Sequence, residues 1–511
     1  MAGDKEQALR ELVDEALAAR VLRRALATGG EFAELFVEDR RGCLVSLDDG
    51  RIEQLSSGHE RGAGIRVVAG ATTGFAHTAD LSVGGLLAAA EAASAAARST
   101  SAGARVAALA RHVMGEPEVE VLPSDVGKGA KVELLRRADE AARFANGSVR
   151  QVGATYRESR RQVLVANSEG VFTADDQVRV RLGITVTASG DSGMQTGSES
   201  VGGTAGFELF GRHDPEQLAR AAAERAARKL RARPAPTGTM PVVIRCGSGG
   251  VLFHEACGHG LEADHVAKDF SVFAGKAGQQ VASPLVTLVD DATMGGEWGA
   301  LGIDDEGHPA ARNVLVEDGV LTGYMWDWLR AAHATRAKGD VGVSPLGRLF
   351  AGSRLAEGRL PSNGRRQSYQ HLPMVRMTNT FLLPGEEDPD EIVRQTPFGL
   401  YVAQLGGGQV NTATGDFVFG ITEAYMIENG ELTHPVRDAN LIGNGLKVLQ
   451  DIDVVGSDFA MGWPGTCGKQ GQGVPVGTGQ PTLRVRALTV GGTAGEARTP
   501  AGGLSWGGQA R

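Results

Sequence analysis

Aromatic residues are scarce in this chain. Phe, Tyr and Trp make up 5% of its 511 residues, too few for a platform on which successive nucleic-acid bases stack. Positive charge is not in excess either. The net charge is −9 and the pI about 5.7, so no general basic field draws a polyanion to the surface. Cysteine is rare, with Cys43, Cys246, Cys257 and Cys467 far apart. That spacing excludes a disulfide framework and leaves the thiols free to bind metal. No apolar run is long enough to cross a bilayer. The opening MAGDKEQALRELVDEALAAR is charged and lacks the apolar centre of a secretory signal, so a cytoplasmic location is expected.

Glycine, by contrast, is abundant, at 73 residues, and clusters where hairpins and close backbone approaches are expected. A chain of this length exceeds one ordinary hydrophobic core, so two or three domains are expected. Lys5–Thr28 has helical spacing. Leu44–Gln54 reads as a hairpin around Asp48-Asp49-Gly50, Gly64–Ala69 and Thr73–His77 as further strands, and Leu81–Ala97 as a helix. Val132–Phe144 and the strands at Val149–Arg157, Gln162–Ala166 and Val178–Thr187 repeat that order, which points to a weak internal duplication. Ser189–Gly206 reads as a mobile loop or a glycine-rich strand pair. Asp214 caps a helix with Pro215 at its first position. The arginines that follow, Arg220 to Arg233, read as a solvated face. The segment 232–241 (ARPAPTGTMP) reads as a linker, placing the boundary between a domain of residues 1–235 and a second of 236–511. The expected class is α+β: helices plus antiparallel hairpins first, then a curved, largely antiparallel, barrel-like sheet. Gly339–Ser368 reads as a long loop over the site, and Leu405–Gly415 as a glycine-rich loop able to offer an edge to an extended peptide.

The second part opens with a strand (PVVIR) and then GSGGVLFHEACGHGLEADH, residues 247–265. His254, Glu255 and His259 are the parts of a metal-hydrolase site: two imidazole ligands and a carboxylate that serves as general base. The usual helical spacing of the histidines is i, i+4. Here it is i, i+5, which on a regular helix turns the second ring roughly 140° from the first. Both can face one ion if the helix is widened by a π-type turn or ends at the second histidine. A catalytic zinc needs three protein ligands. Candidates for the third are Glu262, Asp264, His265, Cys257 and Cys467. Glu262 and Asp264 also suit the role of orienting the histidines. Cys467 is favoured, because it lies among glycines in GTCGK and thiolate binds zinc well. Lys469 stands where it could keep that thiol ionised.

HEACGH resembles the HExxxH motif of the TldD/PmbA family of metalloproteases. The resemblance extends to VVIRCGSGGVLFHEACGHGLEADH, SPLVTLVDDATM and GTCGKQGQGVPVGTGQPTLRVRALTVGGT, and covers most of the chain. Both histidines are present, as in the catalytic TldD-like branch and unlike the PmbA-like one. The resemblance implies a Zn²⁺ peptidase acting on short or unfolded peptides, a metal-binding cysteine in the GTCGK segment, and assembly with a homologous PmbA-like subunit, or as a homodimer, around an enclosed chamber. Two other readings of the residues stand beside it. One is a metal-independent cysteine hydrolase using Cys467 with His434 or His308. The other is a non-catalytic binding subunit with a structural metal.

Overall fold

The computed structural model describes residues 13–97, 104–112, 119–145, 147–336 and 362–494. Helix α1 (Glu15–Ala25) buries Ala18, Val21, Leu22 and Ala25, a stripe of helical period, and Asp14 caps it by accepting from the Leu17 N–H at 2.7 Å. The first 12 residues of the sequence, part of the expected helix, lie outside the described residues. Strands β1 (Phe32–Asp48), β2 (Arg51–Ala69) and β3 (Thr72–Thr78) follow, then α2 (Val83–Ala97). The β1–β2 turn has Asp49 and Gly50 at φ 47° and 78°, as a two-residue hairpin turn requires. The same order then recurs: α3 (Lys128–Ala145), β4 (Val149–Asn167), β5 (Val171–Gly190), β6 (Gly193–Gly203) and α4 (Pro215–Leu230). The two halves join through β1 and β4, antiparallel from Glu34↔Asn167 to Asp48↔Gly153, within a seven-stranded sheet. The duplication inferred from the sequence therefore has a structural counterpart in element order.

The strands are longer than their apolar runs. Leu44–Gln54 and Gly64–Ala69 belong to strands of 17 and 19 residues, because charged and glycine positions inside them remain paired. Ser189–Gly206 is mostly the strand β6, paired to β5 along its length. The arginine-rich face is solvated in part: Arg220, Arg231 and Arg233 are exposed, and Arg225 is the exception. Arg225 is buried between Glu199 and Glu423, at 2.6 Å from each, and Arg228 also reaches Glu423 at 3.1 Å. The segment 232–241 does not hang free. Arg233–Pro234 pair in parallel with Val436–Arg437, and β7 (Gly238–Ile244) is the first strand of a barrel.

After β7 come α5 (Gly250–Ala256), β8 (Leu288–Asp291), β9 (Arg312–Glu317), α6 (Trp328–Arg336) and β10 (Asn379–Leu382). Then follow β11 (Phe398–Val410), β12 (Asp416–Glu428), β13 (Glu431–Arg437), β14 (Asn440–Asn444), α7 (Gly445–Asp451), β15 (Gly465–Lys469), β16 (Gln472–Gln480) and β17 (Leu483–Gly491). Strands β7, β11, β12, β14 and β17 close a five-stranded barrel. Leu405–Gly415, read as a loop, is strand as far as Val410. A second sheet holds β8, β9, β10 and β16, with β15 hairpinned onto β16. Helix α5 lies between the two, its Leu252, Phe253 and Ala256 buried with Val242, Ile244, Leu400 and Val402 of the barrel.

Most of Gly339–Ser368 falls outside the described residues. Its end is buried: Gly364–Arg365 pair with Met374–Val375, and Arg366 joins a buried ionic network. In that network Arg66 reaches Glu34 and Glu306, both at 2.8 Å, and Arg161 reaches Glu38 at 2.6 Å and Asp305 at 2.8 Å. The N-terminal sheet is thus held to the Asp304–His308 turn by charge that water does not screen.

Candidate metal centre

The site is built from α5 outward. The helix ends at Ala256. Cys257 (φ −127°, ψ −51°) breaks it, and Gly258–Leu261 form a 3₁₀ turn. The wide π-type turn does not form; the backbone tightens instead. Packing leaves no room for a side chain at this turn, since a Cβ on Gly258 would lie 2.2 Å from the Met377 sulfur. The outcome for the rings is what two ligands need. The His254 and His259 rings lie 5.1 Å apart at an interplanar angle of 81°.

A third side chain able to hold a metal comes from β15. Cys467 Sγ lies 3.4 Å from His259 Nε2, and one ligand atom each of His254, His259 and Cys467 fall within 4.8 Å of one another. All three residues are buried. Burial pushes the Cys467 thiol up, but the His254 and His259 imidazoles outweigh it and hold the thiol down at about 4. His254 Nδ1 is buried with no hydrogen-bond partner. Two imidazoles and a thiolate converging in a buried space suit a borderline-soft divalent cation, so this donor set fits zinc. Arg376 donates to the Cys467 carbonyl and, at 3.2 Å, to that of Gln472, fixing the hairpin that carries the thiol. Nothing in the spacing of the sequence marks Arg376 for this.

Glu262 and Asp264 take the orienting position. His259 Nδ1 donates to Glu262 Oε2 at 2.9 Å, which turns Nε2 toward Cys467. Lys469 is buried and donates to Glu262 at 3.0 Å, Asp264 at 2.7 Å and the Val375 carbonyl at 3.1 Å. Its charge serves the carboxylates rather than the thiol. Burial raises the Glu262 carboxyl, yet His259 and Lys469 bring it down to about 2. His265 falls in this second group, 3.7 Å from Glu262 Oε2. Cys257 is buried, and burial pushes its thiol up. The Glu255 carboxylate lies 3.8 Å from His259 Nε2 with a quarter of its side chain exposed, so it reaches both the donor cluster and solvent. The imidazoles beside Cys467 are therefore those of the motif. His308 sits by Asp304 at 3.5 Å, and His434 bonds Thr433 on β13.

Known proteins resemble this chain over most of its length. Residues 33–97, 122–230 and 237–492 match, in order, domain 1, the central domain and the C-terminal domain of the PmbA/TldA metallopeptidases. A metalloprotease TldD homolog of Haemophilus influenzae is 40% identical over 477 residues, 91% of this chain and 93% of that one. A metalloprotease of Methanothermobacter thermautotrophicus is 36% identical over 473 residues, 91% and 96% of the two chains. The fold is that of TldE from Thermococcus kodakarensis, with a TM-score of 0.73 at 18% identity over 93% of this chain and 99% of that one. The chain belongs to the PmbA/TldD family of metallopeptidases, and it is a metalloprotease.

Proposed function

We propose that the chain is a zinc-dependent peptidase for short or unfolded peptides, with His254, His259 and Cys467 as the ligands and Glu255 as the general base. The observation that carries this reading is the convergence of the three donors with the Glu255 carboxylate beside them. Bound zinc supplies a Lewis acid that polarises the scissile carbonyl and acidifies water. Glu255 takes the proton of the attacking water and returns it to the leaving amine. Glu262, neutralised by Lys469, holds His259 in the tautomer that presents Nε2. The edge of β11 beyond Leu405, whose N–H is held by Ser248 Oγ at 2.7 Å, pairs on one side only along Gly406–Val410 among the described residues, which suits main-chain recognition of an extended peptide. Assembly with a homologous PmbA-like or TldE-like subunit, or as a homodimer, belongs to the same reading and is supported by the shared fold alone. So does the division into domains of 1–235 and 236–511, since the long strands of the N-terminal sheet precede it and the barrel follows it.

The test is Glu255→Gln. The variant is expected to keep its metal and fold while peptide turnover falls by about 10²–10⁴-fold. Metal analysis and a peptide-cleavage assay on the same preparation read both. Near-normal turnover overturns the assignment of Glu255.

A further inference from the structure

Between the N-terminal sheet and the β15–β16 hairpin lies a cavity of about 1100 Å³. Its floor is the face of the sheet away from α3 and α4, and there the side chains are small: Gly42, Gly58, Gly153 and Gly183 leave backbone bare. Trp298 and Trp463 wall it, and Thr466, next to Cys467, reaches its rim. From this floor stand Arg157 and Arg181, directly opposite each other in the β4–β5 ladder.

Like charges in that relation destabilise an antiparallel pair. Neither arginine has an ion pair among the described residues. Arg181 Nε donates to Ser200 Oγ at 3.1 Å, which leaves the rest of its guanidinium turned to the cavity. Burial and the neighbouring Arg157 hold that guanidinium below its ordinary pKa. The carboxylates lining the cavity do not supply the missing charge. Glu158 is taken by Lys131 and Glu199 by Arg225, each at 2.6 Å, and Glu60 stands across from Arg40. A further arginine, Arg179, is 3% exposed and is held by the carbonyls of Trp298 and Ala300 and the side-chain oxygen of Gln177, with no carboxylate. Asp175 and Asp305 act on Arg179 from further off, so the positive charge left without an ion pair at the cavity floor is that of Arg157 and Arg181, in a chain whose net charge is −9.

We propose that Arg157 and Arg181 form a carboxylate clamp, which binds an extended peptide in this cavity through its free C-terminal carboxylate or an acidic side chain. Two adjacent guanidinium forks match the oxygens of one carboxylate. The bare floor gives a peptide main chain room to lie flat. The peptide nature of the ligand rests on the peptidase reading above; the clamp itself rests on the paired arginines.

The test uses the full chain as Glu255→Gln and fluorescein-labelled unstructured peptides sharing one neutral core. One is amidated, one keeps its free C-terminal carboxylate, and one is amidated with a single Glu. Fluorescence anisotropy is expected to show a carboxylate peptide binding about tenfold tighter than the neutral amide, with the preference shrinking as salt rises. Whichever carboxylate peptide carries the preference identifies the source of the anion. Arg157→Gln and Arg181→Gln each collapse the ratio toward one, whereas Arg212→Gln, an exposed site paired with Glu120, makes the same change in net charge and keeps it. Arg157 is exposed, so its variant leaves the core untouched, and thermal melting of Arg181→Gln is expected at or above the parent temperature. No carboxylate preference in the parent, a preference that survives both substitutions, or an equal loss in Arg212→Gln overturns the clamp. Peptide cleavage by the Glu255→Gln protein, seen by mass spectrometry, would defeat the general-base assignment and leave the clamp standing.

Discussion

Cys467 and Lys469 are two residues apart on one strand, so their side chains share a face. That face meets the 3₁₀ turn, the thiol at His259 and the ammonium at Glu262. His265 lies 3.7 Å from the same carboxylate oxygen but stays outside the His254–His259–Cys467 group. Cys467→Ala is therefore expected to lose most bound metal and all activity, while His265→Ala retains both. Metal content of the two purified variants decides it, and the reverse result moves the third ligand to His265. Residues of this kind were legible in the sequence because few side chains can do their chemistry. His254, Glu255 and His259 stand out by type and spacing, and Cys467 by its glycine neighbours. Lys469 was legible as a cation near the site but not by its partners. Arg376 was not legible at all: its role exists only once a strand 91 residues away folds beside it.

Elements were legible where one periodicity or cap governed them. The Asp214 cap, accepting from the Glu216 N–H at 3.0 Å, and the hairpin turn at Asp49–Gly50, with φ 47° and 78°, form as their residue types require. The motif helix did not follow local rules. Spacing alone called for a widened turn or a helix ending at His259; the helix instead ends at Ala256 and continues as a 3₁₀ turn, with Gly258 packed against Met377. This argues that Gly258 is held to glycine by its neighbour. Gly258→Ala is expected to destabilise the protein by about 1–3 kcal/mol, and Met377→Ala in the same chain to return part of that loss. Urea unfolding of the two single variants and the double gives the coupling. Additive losses would remove Met377 as the cause.

Across the whole molecule, the ionic network between the N-terminal sheet and the Asp304–His308 turn ties stability to pH. Burial opposes the charge on His308, but Asp304 and Glu306 outweigh it and raise its pKa from 6.5 to about 9. A raised pKa means the folded state holds the proton more tightly. The stabilisation is full below about pH 6.5 and is lost as pH climbs through 9, a change of about 3 kcal/mol. The melting temperature is expected to fall over that window, and His308→Gln to flatten the fall; an unchanged slope would take His308 out of the account. The second whole-molecule prediction concerns substrates. A donor cluster this buried, between barrel and second sheet, should admit an extended segment and exclude a folded domain. One sequence presented unstructured and within a stable fold should be cut only in the first form, and equal rates would exclude that gating. Chain order adds a last consequence. His254 and His259 precede the thiol beside them by more than 200 positions, His259 by 208, and the first barrel strand meets its last through Thr239 and Thr489, 250 positions apart. During synthesis on a ribosome, the histidines and glutamate emerge long before Cys467, and the barrel stays open until β17 follows. With Cys467 as the proposed third ligand, a nascent copy has an incomplete donor set until that hairpin has been made.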